Sequence, residues 1–308
     1  MRADRASSFV GLIRALLIVN PTAGRGAGAR AADRVARAFP HEGWAVDLAR
    51  TERPWHAAEL AARAGRDGVQ RVIAVGGDGT VHEVANGLLG AGVPAALGVV
   101  PVGSGNDFAK LVGTFRHRPE RAAARVAAAR PRRFDVGRAL DEYFVNSMGF
   151  GFGPAVVRAR NAMPGLAGFL SYLVPVVRTF FRFRPPRFAV EAAQHTERGN
   201  MMMVEVCNGT TAGGSYRFAP EADPTDGLLD VCLVRQVSVP RFLVAIPRVM
   251  RGTHTQMKEM QLFRTVRLVI RSLDAPLLLH LDGELREPGV RDCEVTLEPR
   301  RLDVLVAP

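Results

Sequence analysis

The stretch Arg71-Val72-Ile73-Ala74-Val75-Gly76-Gly77-Asp78-Gly79-Thr80-Val81-His82-Glu83-Val84-Ala85-Asn86-Gly87-Leu88-Leu89 decides how this 308-residue chain is read. An apolar, β-branched run meets a cluster of glycines and then apolar residues at helical spacing, the pattern of strand, tight turn and helix start. In parallel α/β proteins that junction holds phosphate. The first N–H groups of the helix are unpaired there, and glycine lets an anion approach the backbone. Asp78 carries the wrong charge to attract phosphate directly, so it points to a phosphate carried with Mg²⁺, as in a nucleoside triphosphate. Taken alone, the stretch equally suits a βα turn capped by Asp or Thr.

Outward from this turn, the first ~130 residues alternate strand and helix patterns. Strands are expected at Ala15–Val19, Trp44–Ala49, Arg71–Val75 and Ala95–Val100. Helices are expected at Arg25–Phe39, at Pro54–Arg66 with Pro54 in its first turn, and from Val81. Buried runs separated by helices predict a parallel sheet between helical layers. After about residue 132 short strands dominate: Phe134–Leu140 and Tyr143–Met148 around Asp141-Glu142, then Phe188–Ala192, Met201–Cys207 and Leu228–Val234. Val266–Ile270, Pro276–Leu281, Glu294–Leu297 and Leu302–Val306 follow, and Gly165–Phe183 is mostly helical in pattern. The expected fold is an α/β nucleotide-binding domain, a three-layer unit around a parallel sheet, plus a mostly antiparallel β-sandwich. The division falls at 1–130 and 131–300, the last strand, near 301–308, being able to return to the first unit.

The composition, 47 % hydrophobic and 23 % charged, is that of a globular protein long enough for two cores. Its net charge of +11 rests on arginine, Lys110 and Lys258 being the only lysines. That excess reads either as a solvated arginine surface or as attraction to an anionic partner: nucleic acid, lipid headgroups or a phosphorylated substrate. Cys207, Cys232 and Cys293 fall in no disulfide or metal spacing, which fits a reducing compartment. Asp4 and Arg14 interrupt any signal-peptide pattern. The longest apolar run, Leu166 to Val177, is shorter than the roughly 20 residues a spanning helix needs. A cytoplasmic protein touching membrane only at its surface is expected.

Three glycine-containing turns end the first, third and fourth strands: Asn20-Pro21-Thr22-Ala23-Gly24, the Gly76 turn, and Pro101-Val102-Gly103-Ser104-Gly105-Asn106-Asp107. The carboxyl ends of parallel strands share one sheet edge, so the three turns can converge on one ligand. Gly24-Arg25-Gly26-Ala27-Gly28-Ala29 also fits a loose dinucleotide fingerprint with Asp47 downstream, but that reading leaves Asp78 and Asp107 idle. No GxxxxGK[ST], GxSxG or HExxH spacing occurs.

With these turns in view, the chain resembles the diacylglycerol kinase/sphingosine kinase superfamily, and most of all its bacterial soluble lipid kinases. The resemblance rests on the three turns with Glu83 and Asn86, and on Phe134-Asp135-Val136-Gly137. It continues through Asn208 with Gly213-Gly214, then Pro220-Glu221-Ala222-Asp223-Pro224-Thr225-Asp226-Gly227-Leu228-Leu229-Asp230, and Asp282-Gly283-Glu284. It implies an ATP site formed by Asn20, Pro21, Thr22, Ala23, Gly24, Thr51, Gly77, Asp78, Gly79, Thr80, Val81, His82, Glu83 and Ser104. It places the general base on Glu284 and a structural Mg²⁺ on Asp226 with backbone oxygens of Asp223 and Leu228. Without it, Asp226-Gly227 and Asp282-Gly283 read as turn signals.

The convergence of the turns adds Asn106 and Asp107 to the nucleotide contacts, Asp107 helping Asp78 to position the ion. Phosphorylating an alcohol requires a group to accept its proton, which suits Glu284. The function expected is an ATP- and Mg²⁺-dependent lipid kinase. An enzyme like NAD kinase with a soluble substrate, and a non-catalytic nucleotide- or lipid-binding regulator, are the alternatives. Its partner is a lipid at the membrane surface and not nucleic acid. Phe169, Leu170, Leu173, Phe180 and Phe181, flanked by Arg178, Arg182, Arg184 and Arg187, would touch anionic headgroups unless that helix packs on the β domain. A homodimer is compatible with this reading.

Overall fold

The structure, a computed structural model, describes residues 12–115, 117–163 and 170–308, with the side chains of residues 171 and 172 excepted. Asp4, which interrupts the signal-peptide pattern, and Leu166 and Phe169 of the expected contact helix lie outside the described residues.

The first unit runs β1 (Ile13–Val19), α1 (Ala23–Arg37), β2 (Trp44–Arg50), α2 (His56–Arg66), β3 (Arg71–Gly76), α3 (Asp78–Ala91), β4 (Ala96–Pro101), α4 (Asp107–Leu111) and α5 (Pro119–Ala127). The strands pair in parallel in the order β4-β3-β1-β2. Alternate residues of each strand serve opposite layers. Ile18, Val72, Ala74 and Leu97 pack with α2 and α3, while Leu17, Val19, Ile73 and Val75 pack with α1 and α5. This is why the strands are apolar on both faces. Two starts differ from expectation. Gly24, Arg25 and Gly26 all have positive φ, so regular helix begins only after them. Trp55, left-handed at φ 64°, separates Pro54 from α2.

The second unit adds β5 (Arg130–Ala139), β6 (Glu142–Phe144), β7 (Ser147–Gly151), α6 (Phe152–Asn161), α7 (Leu170–Phe180), β8 (Arg187–Ala192), β9 (His195–Cys207) and β10 (Leu229–Arg235). It continues with α8 (Val239–Arg251), β11 (Met260–Thr265), β12 (Arg267–Ser272), β13 (Leu277–Leu281), β14 (Glu284–Val290) and β15 (Asp292–Val306). Apart from β15 against β4, its pairings are antiparallel, and their inner faces enclose a core that includes Phe144, Phe150, Phe188, Val204 and Leu279. The segments Glu294–Leu297 and Leu302–Val306 are one strand, not two. β15 pairs with β12, bends at Arg300 (φ 52°), and returns in parallel beside β4 through Val304 and Leu97. Buried Asp135 holds the bend, accepting Arg300 N–H at 2.7 Å and Gly227 N–H at 2.8 Å.

Candidate active site

The three glycine turns meet at the carboxyl edge of the parallel sheet, and glycine is what lets them meet. A Cβ on Gly24 would stand 1.9 Å from Val102 O, and one on Gly103 would stand 2.5 Å from Gly77 Cα. Real side chains do not tolerate such approaches, so the first turn closes on the third and the third on the second. Asn20 ties the first to the second, its Nδ2 donating to Thr80 Oγ1 at 3.2 Å while its Oδ1 accepts from Thr22 N–H and Oγ1–H. Gly103 and Asn106 close the third turn on itself through two hydrogen bonds.

Asp78 begins α3 and accepts Phe108 N–H at 3.1 Å. Burial and the neighbouring Asp107 charge push its carboxyl up to about 7. Excess negative charge of this kind, at the rim of an anion-binding turn, is what a divalent cation relieves, so an oxygen-coordinated Mg²⁺ fits Asp78.

Glu284 comes from the far end of the chain and stands over the α3 N-terminus. A Cβ on Gly79 would lie 2.3 Å from its Oε1. Asp282 sets that position. Its buried carboxylate accepts Asn146 N–H (2.8 Å), Ser147 N–H (3.1 Å) and Val145 N–H (3.1 Å), and pairs with His82 Nδ1 at 2.9 Å. Asp282 itself is left-handed at φ 50°. The Asp-Gly pair is the two-residue turn between β13 and β14, as its sequence suggests, and the buried Asp282 makes that turn an anchor as well.

Several residues expected at the nucleotide have side chains engaged within the protein. His82 is buried, and its ring bridges Asp282 and Glu142. Burial lowers its basicity, but those two carboxylates outweigh it and hold the imidazole protonated, up to about 9. Glu83 turns the other way, where its Oε2 caps α2 by accepting Ala57 N–H at 3.1 Å. Val81 packs into the core, and Thr51, beyond the edge strand β2, lies outside the cavity lining. Asp107 lines the cavity, but its carboxylate is committed to Lys110 Nζ at 2.6 Å and Gly214 N–H at 2.7 Å. It holds the Gly213-Gly214 loop in place instead of lying open to an ion.

Asp223, Asp226 and Leu228 share one loop away from this cavity. Asp223 Oδ1 accepts Thr225 N–H and Asp226 Oδ1 accepts Leu228 N–H. The oxygen donors suit Mg²⁺ in kind. Among the described residues no group of three or more His, Cys, Asp or Glu side chains is placed to hold a metal ion; the expected site is a different kind, one carboxylate with backbone oxygens.

The protonated His82 has a measurable consequence. Its folded value, about 9, lies above the ordinary 6.5, so the stability it contributes is complete below pH 6.5 and lost as pH rises through about 9. The melting temperature should fall across that interval. His82→Gln should flatten this part of the profile, and an unchanged slope would remove His82 as its source.

One cavity of about 840 Å³ joins the polar and apolar halves of the molecule, within the usual range for ligand pockets. At one end it is lined by Gly24, Asp78, Gly79, Ser104 and Glu284. At the other it is lined by Phe152, Val176, Met203, Phe242, Val249 and Met260. The apolar end is poorly legible in the sequence, because Gly153-Pro154 at the start of α6 and Pro247 inside α8 mask both helices. The signal was present: Phe242, Ala245, Ile246 and Val249 recur at helical spacing.

A glycine-turn sheet edge thus opens into an apolar cavity, the arrangement against which the family comparisons are set. Residues 14–139 match the diacylglycerol kinase catalytic domain, and residues 146–306 match the YegS C-terminal NAD kinase beta sandwich-like domain. The chain belongs to this family of diacylglycerol kinases and YegS-like lipid kinases. It is 28 % identical to the diacylglycerol kinase of Bacillus subtilis over 88 % of this chain and 89 % of that one. It is 35 % identical to a probable lipid kinase YegS-like protein of Chromohalobacter salexigens over 57 % of each. A crystal structure of a diacylglycerol kinase from Bacillus anthracis shares the fold, with a TM-score of 0.73 at 21 % identity over 96 % of this chain and 97 % of that one. Membership of a kinase family carries ATP use with it.

Proposed function

We propose that this protein transfers the γ-phosphate of Mg²⁺-ATP to the hydroxyl of a lipid such as diacylglycerol, with Glu284 accepting the hydroxyl proton. The carrying observation is the continuity of the cavity, which runs from the glycine turns past Glu284 into an apolar interior. The backbone N–H groups of the turns, with Ser104, would meet the phosphates, while Asn106 keeps the third turn in shape; Asp78 would hold Mg²⁺, which when bound supplies charge neutralisation. Glu284, fixed by Asp282, faces the hydroxyl at the junction of the two ends. The acyl part lies among Phe152, Met203 and Phe242, where water is excluded. Incubation with radiolabelled ATP and a total lipid extract tests this reading. A labelled lipid is expected, whereas label confined to a soluble product, or no transfer, would overturn it.

The lipid reaches this cavity from a bilayer, and α7 and α8 suit that surface. Among the described residues no helix is long and apolar enough to cross a membrane. Leu170, Val174 and Phe181 of the α7 segment and Val239, Leu243 and Val244 of α8 are exposed. Val176, Phe242 and Val249 of the same helices line the tunnel. Phe180 does not face outward, because it stacks on Phe242 at 3.7 Å, so α7 both packs on the β unit and exposes a second face. Exposed Arg178, Arg182, Arg184 and Arg251 suit anionic headgroups. The double variant Phe181→Glu/Leu243→Glu should lose most binding to anionic vesicles in co-sedimentation while phosphorylating a dispersed short-chain acceptor normally. Undiminished binding would remove this face from the contact.

A further inference from the structure

Between the polar and apolar ends of the cavity lies a polar pair that the phosphotransfer chemistry does not use. Glu205 on β9 stands opposite Gly149 on β7, which stands opposite His280 on β13. Gly149 makes room for both neighbours: a Cβ there would be 2.3 Å from Glu205 Oε2 and 2.6 Å from His280 Nε2. The two side chains reach across the glycine until His280 Nε2 is 3.4 Å from Glu205 Oε1, longer than a good hydrogen bond. Gly153, in the first turn of α6, faces the same pair without a side chain; a Cβ there would stand 3.5–3.6 Å from it. Glu205, His280 and Gly153 all line the cavity.

Glu205 is 0 % exposed, and neither of its oxygens accepts a hydrogen bond from the described residues. His280 Nδ1 faces Gly283 N–H at 3.3 Å, which orients the ring so that Nε2 points at Glu205. A buried carboxyl group that accepts no hydrogen bond is costly, because the long contact with His280 replaces little of the hydration it has given up. A ligand that brings donors into the cavity removes that cost.

The register locates the ligand atoms concerned. Two residues along β9 from Glu205 is Cys207, opposite Ser147, whose N–H holds Asp282 and thereby the Glu284 turn. In the other direction lies Met203 and the apolar lining. Glu205 therefore sits one side-chain step, about 7 Å along the strand, inward from the row that anchors the base. A ligand group meeting it lies close to the reacting hydroxyl, before the hydrocarbon chain begins. Diacylglycerol has one hydroxyl, which reacts, and its other oxygens are ester acceptors, so it leaves Glu205 unpaired. An acceptor with a second hydroxyl or an amine beside the first pairs with it.

Resting on the lipid-kinase reading, we propose that Glu205, oriented by His280, determines acceptor specificity by selecting lipids that carry a second hydrogen-bond donor, hydroxyl or amine, next to the hydroxyl that is phosphorylated. The test compares 1-monooleoylglycerol, 2-aminooctadecan-1-ol and 1,2-dioleoylglycerol as acceptors with Mg²⁺-ATP. The wild type should favour the two donor-bearing lipids in kcat/KM. Glu205→Ala should cost those two about 10–100-fold, the loss of a hydrogen bond at a buried site, and leave dioleoylglycerol unchanged. Glu205→Gln, which keeps the volume and one acceptor, should cost the amine more than the diol. It supplies the same acceptor comparison if the alanine variant does not fold. Equal losses on all three acceptors, or no loss, would overturn the proposal and leave the lipid-kinase reading standing. If the wild type phosphorylates none of them, both fall together.

Discussion

Glu284→Gln should bind Mg²⁺-ATP with wild-type affinity and turn over roughly 10²–10⁴-fold more slowly, the range a positioned general base contributes. The substitution is nearly isosteric, so the amide can keep the position over Gly79 that the carboxylate holds. It cannot take the proton released as the lipid oxygen attacks phosphorus. Equilibrium dialysis with ATP and single-turnover rates with a short-chain diacylglycerol separate the two quantities. Near-normal turnover would remove Glu284 from the base role, and a collapse of ATP binding would make it a nucleotide contact instead.

Asp282→Ala should be the most damaging single change to both stability and activity. Its carboxylate serves three backbone N–H groups and the protonated His82, all at a buried site. Removing it strands those donors and leaves the imidazolium with Glu142 as its carboxylate partner, beside Arg286. Breaking a buried charge pair in this way costs about 3–5 kcal/mol. Chemical denaturation should show the loss in the midpoint, and turnover should fall even where the variant stays folded, because the Glu284 turn has lost its anchor. A wild-type midpoint would mean that the loop is held by other contacts.

The fold class was legible because its determinants are local. β1, β3 and β4 are continuous apolar runs, and the glycine turns after them carry their meaning in adjacent residues. What lay between the later strands was less legible. α6 begins with Phe152-Gly153-Pro154, and α8 carries Pro247 inside it, so both read poorly as helices. β15 reads as two strands because its bend at Arg300 is held by Asp135, 165 residues away.

The site divides in the same way. Asp78 and the three turns could be named from spacing, since a strand end, a glycine and a helix start form an anion site wherever they occur. The resemblance supplied Glu284, but not the reason it faces Gly79. His82 and Glu83 show the limit of local reading: they adjoin the glycine turn in sequence, yet the helix points one at Asp282 and the other at the end of α2.

The sequence by itself determined the parallel α/β unit, its phosphate-binding edge and the change to antiparallel strands, all set by short-range patterns of apolar residues and glycine. Only the tertiary structure decided which acidic residues line the cavity, which serve as buried anchors, and that Glu205 and His280 meet across Gly149. Those outcomes depend on strand register and on side chains distant in the chain. A residue's charge is written in the sequence, but its partners and its burial follow from the packing.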